Sequence, residues 1–383
     1  MYATMTVENL PVSTPRISRD RRAHESGFNY LLTGIWALIG ATAIAVAAAG
    51  TALAVSNNAL WVANGTNVVE FGNIPDGTHD EKPKLILNSA VFGAPQGVVF
   101  DAMNNLWVID GGNGSTIAPS LEEFTEAQLK NLKKDPMPTP NVQLTSAADF
   151  VFPQQAVFDA SGNMWVSDSM ANAVFVVTPA QLAAGGDIAF TTTIESTPPF
   201  NGALGIVFAK NGNLWIANNG DTTIVEFNAG HLPAIGSGLT TLAPDVTLSD
   251  DGHGSIQGPW ALVFDTAGDL WSSNANSPFT LVKFGPTQLT TTGSPTPETT
   301  ISPVEVKVSK KVNDESLAAP NGIAFVKGEL AAISSASPFG VASYDAKQQM
   351  TGGSIKPDSF FVGAKTTLSA PAGDNFGPDI NVK

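Results

Sequence analysis

The chain has 383 residues, of which only 14% are charged, and it contains 36 Gly and 26 Pro but no cysteine, so disulfides, thiolate metal sites and cysteine nucleophiles are excluded. The formal net charge of −15 at pH 7 argues against nucleic acid and anionic lipid as partners, because both need clustered Lys and Arg. The abundance of Gly, Pro and strand-forming residues favours one large all-β domain.

The first predicted element is a leader over residues 1–54. Residues 1–29 are polar and carry four arginines, whereas residues 30–54 form an uncharged stretch that ends on Ala52-Leu53-Ala54, a small-x-small pattern that signal peptidase cuts. This stretch is also long enough to span a bilayer, so an uncleaved membrane anchor stays open. In both cases the upstream positive charge predicts that residues 55–383 lie outside the cytoplasm, either periplasmic or secreted.

The rest of the chain is dominated by a repeated β-hairpin. An apolar strand ending in Phe is followed by a turn rich in Gly, Asn and Asp, and then by a strand that opens on Trp. The phrase occurs at 97–110, 155–168, 205–218 and 261–274, with a weaker copy at 322–334 and a half copy at 56–64. Its tryptophans recur every 46 to 58 residues, the length of a four-stranded propeller blade.

Two further strands are predicted after each hairpin. The third strand is expected at 68–71, 121–124, 174–177, 224–227, 281–284 and 341–344. The fourth begins with Pro at 83–87, 140–144, 244–248, 297–301 and 357–361, and in the third blade it is expected at 186–190. Short helical turns are predicted at 125–129 and 179–182. Six such sets predict an all-β fold, a six-bladed β-propeller of four-stranded blades.

The C-terminal strand is predicted to close the ring. The Phe position of the first hairpin falls on Ala54, so cleavage of the leader would remove the inner strand of the first blade. Residues 376–383 match the start of an inner strand, as in 93–100, and this match gives Asp379 the position that Gln96 holds in the second blade. Pairing of this tail with residues 56–64 would protect both open sheet edges.

These phrases resemble NHL-repeat propellers and the gluconolactonase-like family, most clearly at 320–325 (PNGIAF) and 212–218 (GNLWIAN). The resemblance covers essentially all of residues 55–383. It implies the six-bladed fold, but it implies no single activity, because this scaffold hosts many unrelated functions.

The hairpin geometry predicts a polar mouth at one end of the central channel. Residues four before the Phe and three after the Trp lie at the same end of the paired strands. The first set comprises Gln96, Gln154, Leu204, Trp260, Asn321 and Asp379. The second set comprises Asn64, Asp110, Asp168, Asn218, Asn274 and Ser334. A concave polar ring with one aromatic side chain is where a ligand is expected to bind.

The second set also has a structural explanation. Asn and Asp at strand ends commonly hydrogen-bond to nearby backbone, and they would recur in every blade for that reason alone. The first set differs from blade to blade, as a shaped ligand pocket requires.

The resemblance further implies a divalent metal in the channel. In gluconolactonase-like enzymes the metal is held by a Glu, by an Asn in an Asn-Gly phrase and by an Asp in a Pro-Asp-Gly phrase. Asn321 precedes a Gly and matches the second ligand, Asp379 follows a Pro and matches part of the third, and the Glu has no match. Asn321 and Asp379 are therefore the candidate ligands for a divalent cation such as Ca²⁺.

Histidine chemistry is sparse outside the leader. His79, His231 and His253 fall in Gly- and Asp-rich segments that are predicted to be loops between blades. No spacing of the H-x-H or H-E-x-x-H kind is present.

Two functions fit these observations. The first is a non-catalytic module outside the cytoplasm that binds a small molecule or a protein through the channel mouth. We expect such a module to be a monomer, to have no nucleic-acid partner, and to meet a membrane only through an uncleaved leader. The second is a metal-dependent lactonase or related hydrolase, in which the cation polarises a lactone carbonyl and activates water. The incomplete catalytic set favours the first.

Overall fold

The computed structural model describes residues 57–72, 76–307, 313–326, 328–337, 339–369 and 371–378, so the predicted leader lies outside the described part of the chain. Most of the regular structure is β-strand, in six small sheets arranged as a ring. The six-bladed β-propeller predicted from the repeats is confirmed. Among the described residues, no helix combines the length and apolar character needed to cross a bilayer.

The first three blades have four strands each, which run in order from the channel outward. Blade 1 consists of β30 (Pro371–Pro378), β1 (Asn57–Asn64), β2 (Asn67–Phe71) and β4 (Leu85–Leu87). Blade 2 consists of β5 (Pro95–Phe100), β6 (Leu106–Asp110), β7 (Ser120–Phe124) and β8 (Val142–Thr145). Blade 3 consists of β9 (Pro153–Phe158), β10 (Met164–Asp168), β11 (Ala173–Val177) and β13 (Thr192–Ser196).

The other three blades repeat the arrangement. Blade 4 consists of β14 (Ala203–Phe208), β15 (Leu214–Asn218), β16 (Thr223–Phe227) and β18 (Val246–Ser249). Blade 5 consists of β19 (Pro259–Phe264), β20 (Leu270–Asn274), β21 (Leu281–Phe284) and β22 (Thr299–Ser302). Blade 6 consists of β25 (Pro320–Val326), β26 (Glu329–Ser334), β27 (Gly340–Tyr344) and β29 (Ser359–Val362). Neighbouring inner strands contact one another around the whole ring.

Short parallel strands extend the outer edges of four blades. Blades 2, 3, 5 and 6 gain β12 (Gly186–Asp187), β17 (Gly238–Leu242), β28 (Gly353–Ser354) and β3 (Gly77–His79), respectively. Each added strand comes from the blade that follows around the ring, so the outer edge of one blade is covered by a segment of the next. A separate hairpin, β23 (Glu305–Lys307) and β24 (Asn313–Glu315), lies between blades 5 and 6 in the sequence.

The helices are short and lie outside the sheets. They are α1 (Glu126–Lys130), α2 (Pro179–Ala184) and α3 (Ala346–Thr351), together with 3-10 turns at Asn219–Asp221, Pro286–Leu289 and Ala364–Thr366. The first two confirm the helical turns predicted from the sequence. Thr125 and Thr178 cap them, since each side chain accepts from the backbone N–H three residues later while a Gln at that position bonds back.

Two predictions about strand positions are wrong. The segment predicted to be the fourth strand of blade 3, residues 186–190, contributes β12 to the edge of blade 2, and the fourth strand of blade 3 is β13. His79, which the sequence places in a loop, pairs in β3 along the edge of blade 6. Both errors arise because a short parallel edge strand has no alternating pattern of its own to mark it.

The blades are joined by aromatic contacts. The Phe that ends one inner strand packs edge-on against the Trp of the preceding blade in the pairs Trp61–Phe100, Trp165–Phe208, Trp215–Phe264 and Trp271–Phe325. Such T-shaped pairs are each worth about 0.5–1.5 kcal/mol beyond the area that they bury. The repeated Phe and Trp of the sequence therefore hold neighbouring blades together.

The C-terminal strand closes the ring as predicted, but in a different register. β30 pairs antiparallel with β1, and Pro371 lies opposite Asn64 as Pro95 lies opposite Asp110 in blade 2. The segment that matches PQGVVF (95–100) is therefore PAGDNF (371–376), seven residues before the match predicted from the sequence. The position equivalent to Gln96 is consequently Ala372, and Asp379 lies outside the described residues.

Candidate functional site

Among the described residues, the members of the two predicted sets lie at the same end of the hairpins, while Asp379 of the first set lies outside the described residues. The first residue of each inner strand pairs with the last residue of the second strand, as in Pro95 with Asp110 and Pro153 with Asp168. We call Asn64, Asp110, Asp168, Asn218, Asn274 and Ser334 the strand-end ring. We call the residues that follow the first residue of each inner strand the strand-start ring: Gln96, Gln154, Leu204, Trp260, Asn321 and Ala372.

The two carboxylates of the strand-end ring bind backbone N–H groups. Asp168 accepts from the amides of Val151, Phe152, Met170 and Ala171 at 2.8 to 3.0 Å. Asp110 accepts from Gly93 at 2.8 Å, from Ala94 at 3.0 Å and from Gly112 at 2.6 Å. Both side chains are fully buried. They fasten the segment that enters the inner strand to the end of the second strand.

The remaining members of the strand-end ring make the same connection with neutral groups. Asn218 accepts from the amide of Asn201 at 2.7 Å, and Asn274 accepts from that of Gln257 at 2.9 Å. In blades 1 and 6 the corresponding bonds are Ser369 N–H to Asn64 Oδ1 at 2.9 Å and Ala318 N–H to Ser334 Oγ at 3.0 Å. The structural explanation therefore accounts for the recurrence of these residues in all six blades.

Burial raises the pKa of both ring carboxyls. The pKa of Asp110 rises to about 6, against the lowering effect of its three backbone N–H bonds, and that of Asp168 is raised for the same reason. Beside Asp110 lies Glu122, a fully buried residue that accepts a bond from the Ser120 hydroxyl. Burial, and then the charge of Asp110, raise the pKa of Glu122 well above its ordinary value. Equivalent positions in other blades are Val69, Phe175, Val225 and Val282, so Glu122 is an acid in an apolar position.

A β-bulge coincides with the strand-start ring in every blade. In blades 1, 2, 3 and 6 the ring residue is skipped by the pairing, so that Pro95 and Gly97, for example, face consecutive residues of β6. In blades 4 and 5 the irregularity spans two residues, beginning at Leu204 and at Trp260. Bulges redirect side chains and are frequent beside functional sites. No sequence pattern indicated them.

Several polar atoms of this ring are buried without a protein partner. The Gln96 and Gln154 side chains are 2% exposed and each donates one bond, to the Ala94 carbonyl and to Ser169 Oγ at 3.0 Å, but their Oε1 atoms have no partner. Nε1 of the half-buried Trp260 is also unpartnered. A buried polar atom left unpaired costs about 1–3 kcal/mol, so these atoms are suited to a polar ligand or bridging water.

The inner strands of blades 4 and 5 approach each other closely next to this ring. A Cβ on Gly205 would lie 2.4 Å from the backbone oxygen of Trp260, so the inner strands of blades 4 and 5 approach too closely for any side chain there. Blade 3 carries Gln155 at the equivalent position, and its Oε1 accepts from the Ile206 amide of blade 4 at 3.4 Å. The Nε2 of Gln155 has no partner. The inner strands of blades 3, 4 and 5 are therefore held close together beside the strand-start ring.

The predicted pair of metal ligands, Asn321 and Asp379, stays a prediction, because Asp379 lies outside the described residues. Asn321 is fully buried at its bulge, but the matching position of the closing strand is Ala372, and Asp379 is not described. In the part of the chain that the structure describes, no three His, Cys, Asp or Glu side chains converge in a way that could hold a metal ion.

A second polar region, which was not predicted from the sequence, lies at the opposite end of the hairpins. It is a cleft of about 600 Å³ between blades 4 and 5, lined by Glu226 and Asp245 together with Trp215 and Phe264. His231 bonds to Asp245 through Nδ1 at 2.7 Å. Comparison of equivalent positions between blades could have found it, because blade 2 has Asn141 where blade 4 has Asp245.

Comparisons with known proteins support the fold. No protein-family model and no curated protein matches the sequence. A protein of unknown function from Bacteroides caccae superposes with a TM-score of 0.51 at 10% identity, over 83% of this chain and 98% of that one. A chain of a nidogen/laminin complex gives a TM-score of 0.49 at 15% identity, over 83% and 97% of the two chains. Virginiamycin B lyase from Staphylococcus aureus gives 0.43 at 13% identity, over 73% and 74%. At 10% identity, the likeness to the Bacteroides caccae protein supports the fold alone.

Proposed function

We propose that this propeller is a non-catalytic binding module that takes a polar ligand, a small molecule or a segment of another protein, at the mouth of its channel. The observation that carries the proposal is the set of buried atoms without a protein partner on the bulged strand-start ring, Gln96 Oε1, Gln154 Oε1 and Trp260 Nε1. Concave sites with a few convergent polar groups and an aromatic surface are where propellers and other folds bind ligands.

The chemistry of these atoms defines the ligand that the mouth would take. Two acceptors and one donor, without a formal charge, suit a neutral group that both donates and accepts hydrogen bonds, such as a hydroxyl pair or a peptide amide. The indole of Trp260 offers an apolar face beside them. The buried carboxylates of the strand-end ring already bind backbone N–H groups and are not available to a ligand.

Family and location belong to the same proposal. The repeat phrases support kinship with NHL-repeat and gluconolactonase-like propellers, although the absence of a matching family model leaves that kinship to the phrases alone. The leader pattern of residues 1–54 supports export, with the propeller periplasmic, secreted or anchored. The propeller fold itself is compatible with an interaction module.

The test is a thermal-shift and calorimetric screen of the purified full-length chain against polyols, saccharides, short peptides and divalent cations. We expect an uncharged ligand to bind, and we expect Q154L and W260A to weaken it while Q143A, an exposed amide of the outer strand of blade 2, binds normally. A stoichiometric divalent cation whose stabilisation is lost in D379A, together with turnover of a lactone, would replace this proposal by the metal-dependent hydrolase.

A further inference from the structure

The cleft between blades 4 and 5 contains a set of three positions that recurs around the ring. The first is the residue before the Phe of the third strand, the second is the residue before the Leu-Trp of the second strand, and the third follows the Pro before the fourth strand. In blade 2 these positions hold Glu123, Asn105 and Asn141; in blade 4, Glu226, Asn213 and Asp245; in blade 5, Lys283, Asp269 and Glu298. The three blades can therefore be compared position by position.

Blades 2 and 5 satisfy their buried charge within the protein. In blade 2, Glu123 accepts one bond from Asn105 Nδ2 at 2.9 Å and another from Asn141 Nδ2. In blade 5, the Lys283 ammonium lies 3.0 Å from Asp269 and 3.4 Å from Glu298, so a cation bridges two carboxylates. Each arrangement matches every acceptor with a donor.

Blade 4 lacks the donor that the other two blades have. Glu226 accepts from Asn213 Nδ2, but the third position is Asp245, which has no proton to donate. The Glu226 side chain is 3% exposed and its Oε2 is buried without a partner. Burial, and then the charge of Asp245, raise the pKa of Glu226, whereas Asn213 and His231 lower it. Both oxygens of Asp245 have partners: His231 Nδ1 lies 2.7 Å from Oδ1 and 3.0 Å from Oδ2, and Oδ2 also accepts from the Asn228 amide at 2.8 Å.

The cleft places this acidic pair, in which Glu226 Oε2 is the acceptor without a partner, beside space for a ligand. Glu226 and Asp245 both line it, and its other walls include Trp215, Phe264 and Leu289, which offer apolar surface for a hydrocarbon chain. The geometry does not suit a metal, since no three acidic or histidine side chains of the described residues converge as ligands. The missing component is a single cationic donor.

We propose that the blade 4–5 cleft binds a primary alkylammonium group, which donates to Glu226 Oε2 and Asp245 as the Lys283 ammonium does to Asp269 and Glu298 in blade 5. The alkyl chain would lie along Trp215 and Phe264. The group can come from a free aliphatic diamine or from the lysine side chain of a peptide, and both present the same chemistry to the pair. Charge-assisted hydrogen bonds of this kind are the strong ones.

The test is calorimetric titration of the purified full-length chain with 1,5-diaminopentane, hexylamine and an Nα-acetyl-lysinamide peptide, with hexanol and CaCl₂ as comparison probes. We expect saturable amine binding and none of hexanol. Binding of the diamine but not of the peptide identifies a free amine as the source, and the reverse identifies a lysine side chain. Calcium binding without amine binding, or no binding of any amine, would overturn the proposal.

The decisive variant is D245N, because it gives blade 4 the Glu–Asn–Asn set that blade 2 already folds with. We expect D245N to melt at or above the wild-type temperature and to lose amine affinity by about tenfold or more, as a charged acceptor is removed. The matched control is E298Q in blade 5, which should bind amines normally. Lys210 borders the same cleft and repels a cation, so K210A should bind at least as tightly as wild type. Retained affinity in D245N, or weaker binding in K210A, would contradict the assignment.

Discussion

The strand-end ring and the strand-start ring lie side by side at the mouth and are built from similar polar side chains, but they differ in what those side chains bond. Asp110, Asp168, Asn218 and Asn274 all accept from backbone N–H groups of the segment that enters the inner strand. Gln96 and Gln154 keep a buried acceptor with no protein partner. Location at a channel mouth is therefore a poor guide to function. A buried acceptor that bonds backbone N–H groups has a structural role, whereas a buried acceptor without a protein partner marks a candidate binding site.

The largest effect is expected from removing the closing strand of blade 1. Deletion of residues 371–383 takes away the inner strand that pairs with β1, and we expect the melting temperature to fall by about 10 °C or more, since a domain of this size loses about 2–4 °C per kcal/mol. Deletion of residues 379–383 alone is the control and should have a much smaller effect, because it leaves the pairing of Pro371–Pro378 with β1 intact. A large fall from the shorter deletion would favour the register predicted from the sequence.

The next largest effect on stability is expected from a single residue of the strand-end ring, Asp168. Asp168→Ala should cost about 3–5 kcal/mol in the free energy of unfolding, because four buried backbone N–H groups lose a charged acceptor. Asp168→Asn keeps one acceptor oxygen and should cost less. Urea denaturation of both variants measures the difference. An alanine variant as stable as wild type would remove the distinction between the two rings.

A smaller effect depends on pH and concerns the acid beside the strand-end ring. At low pH Glu122 is protonated in both the folded and the unfolded chain. As the pH rises past about 4.3, Glu122 loses its proton in the unfolded chain first, because its pKa in the folded chain is raised. The folded state therefore loses stability with rising pH until the pH exceeds the raised pKa of Glu122. Glu122→Gln is free of this loss. We therefore expect the melting temperature of E122Q to exceed that of wild type by an amount that grows from pH 4 to pH 8. A difference in melting temperature that stays constant with pH would contradict a buried Glu122 carboxyl with a raised pKa.

The smallest effect on stability is expected in the strand-start ring. Gln154→Leu removes one bond to Ser169 but also removes an unpartnered buried oxygen, so the free energy of unfolding should change by less than about 1 kcal/mol. Urea denaturation beside D168A provides the comparison within one blade. A loss of unfolding free energy as large as that of D168A would show that Gln154 also has a structural role.

The sequence predicted the repeating parts of the fold because each blade repeats the same physical requirements. A Phe and a Trp in every hairpin pack across blade boundaries, and an Asx residue in most blades fastens the entry segment. The closing strand was predicted in the wrong register because PAGDNF (371–376) carries Asp and Asn where the other inner strands carry apolar residues. Only its Pro, Gly and Phe keep the pattern.

The parts that determine the candidate sites could not be predicted from one blade at a time. A bulge at the strand-start ring is a property of strand pairing, and no residue type requires it. Glu226 and Glu123 occupy equivalent positions in their strands. They differ in the residue that follows the Pro before the fourth strand, which is Asp245 in blade 4 and Asn141 in blade 2 and is distant in sequence. Only the partners of each buried atom separate a satisfied acid from an unsatisfied one.

The exchange of strands around the ring has a consequence for synthesis of the protein. β1 leaves the ribosome about 300 residues before its partner β30, and at about 5–20 residues per second this interval lasts tens of seconds. The edge strand of blade 6, β3, is already made when blade 6 is synthesised, whereas blade 1 must expose an unpaired edge until the last strand appears. The newly made chain, and not the finished ring, is where this protein is most exposed to mispairing and to capture by chaperones.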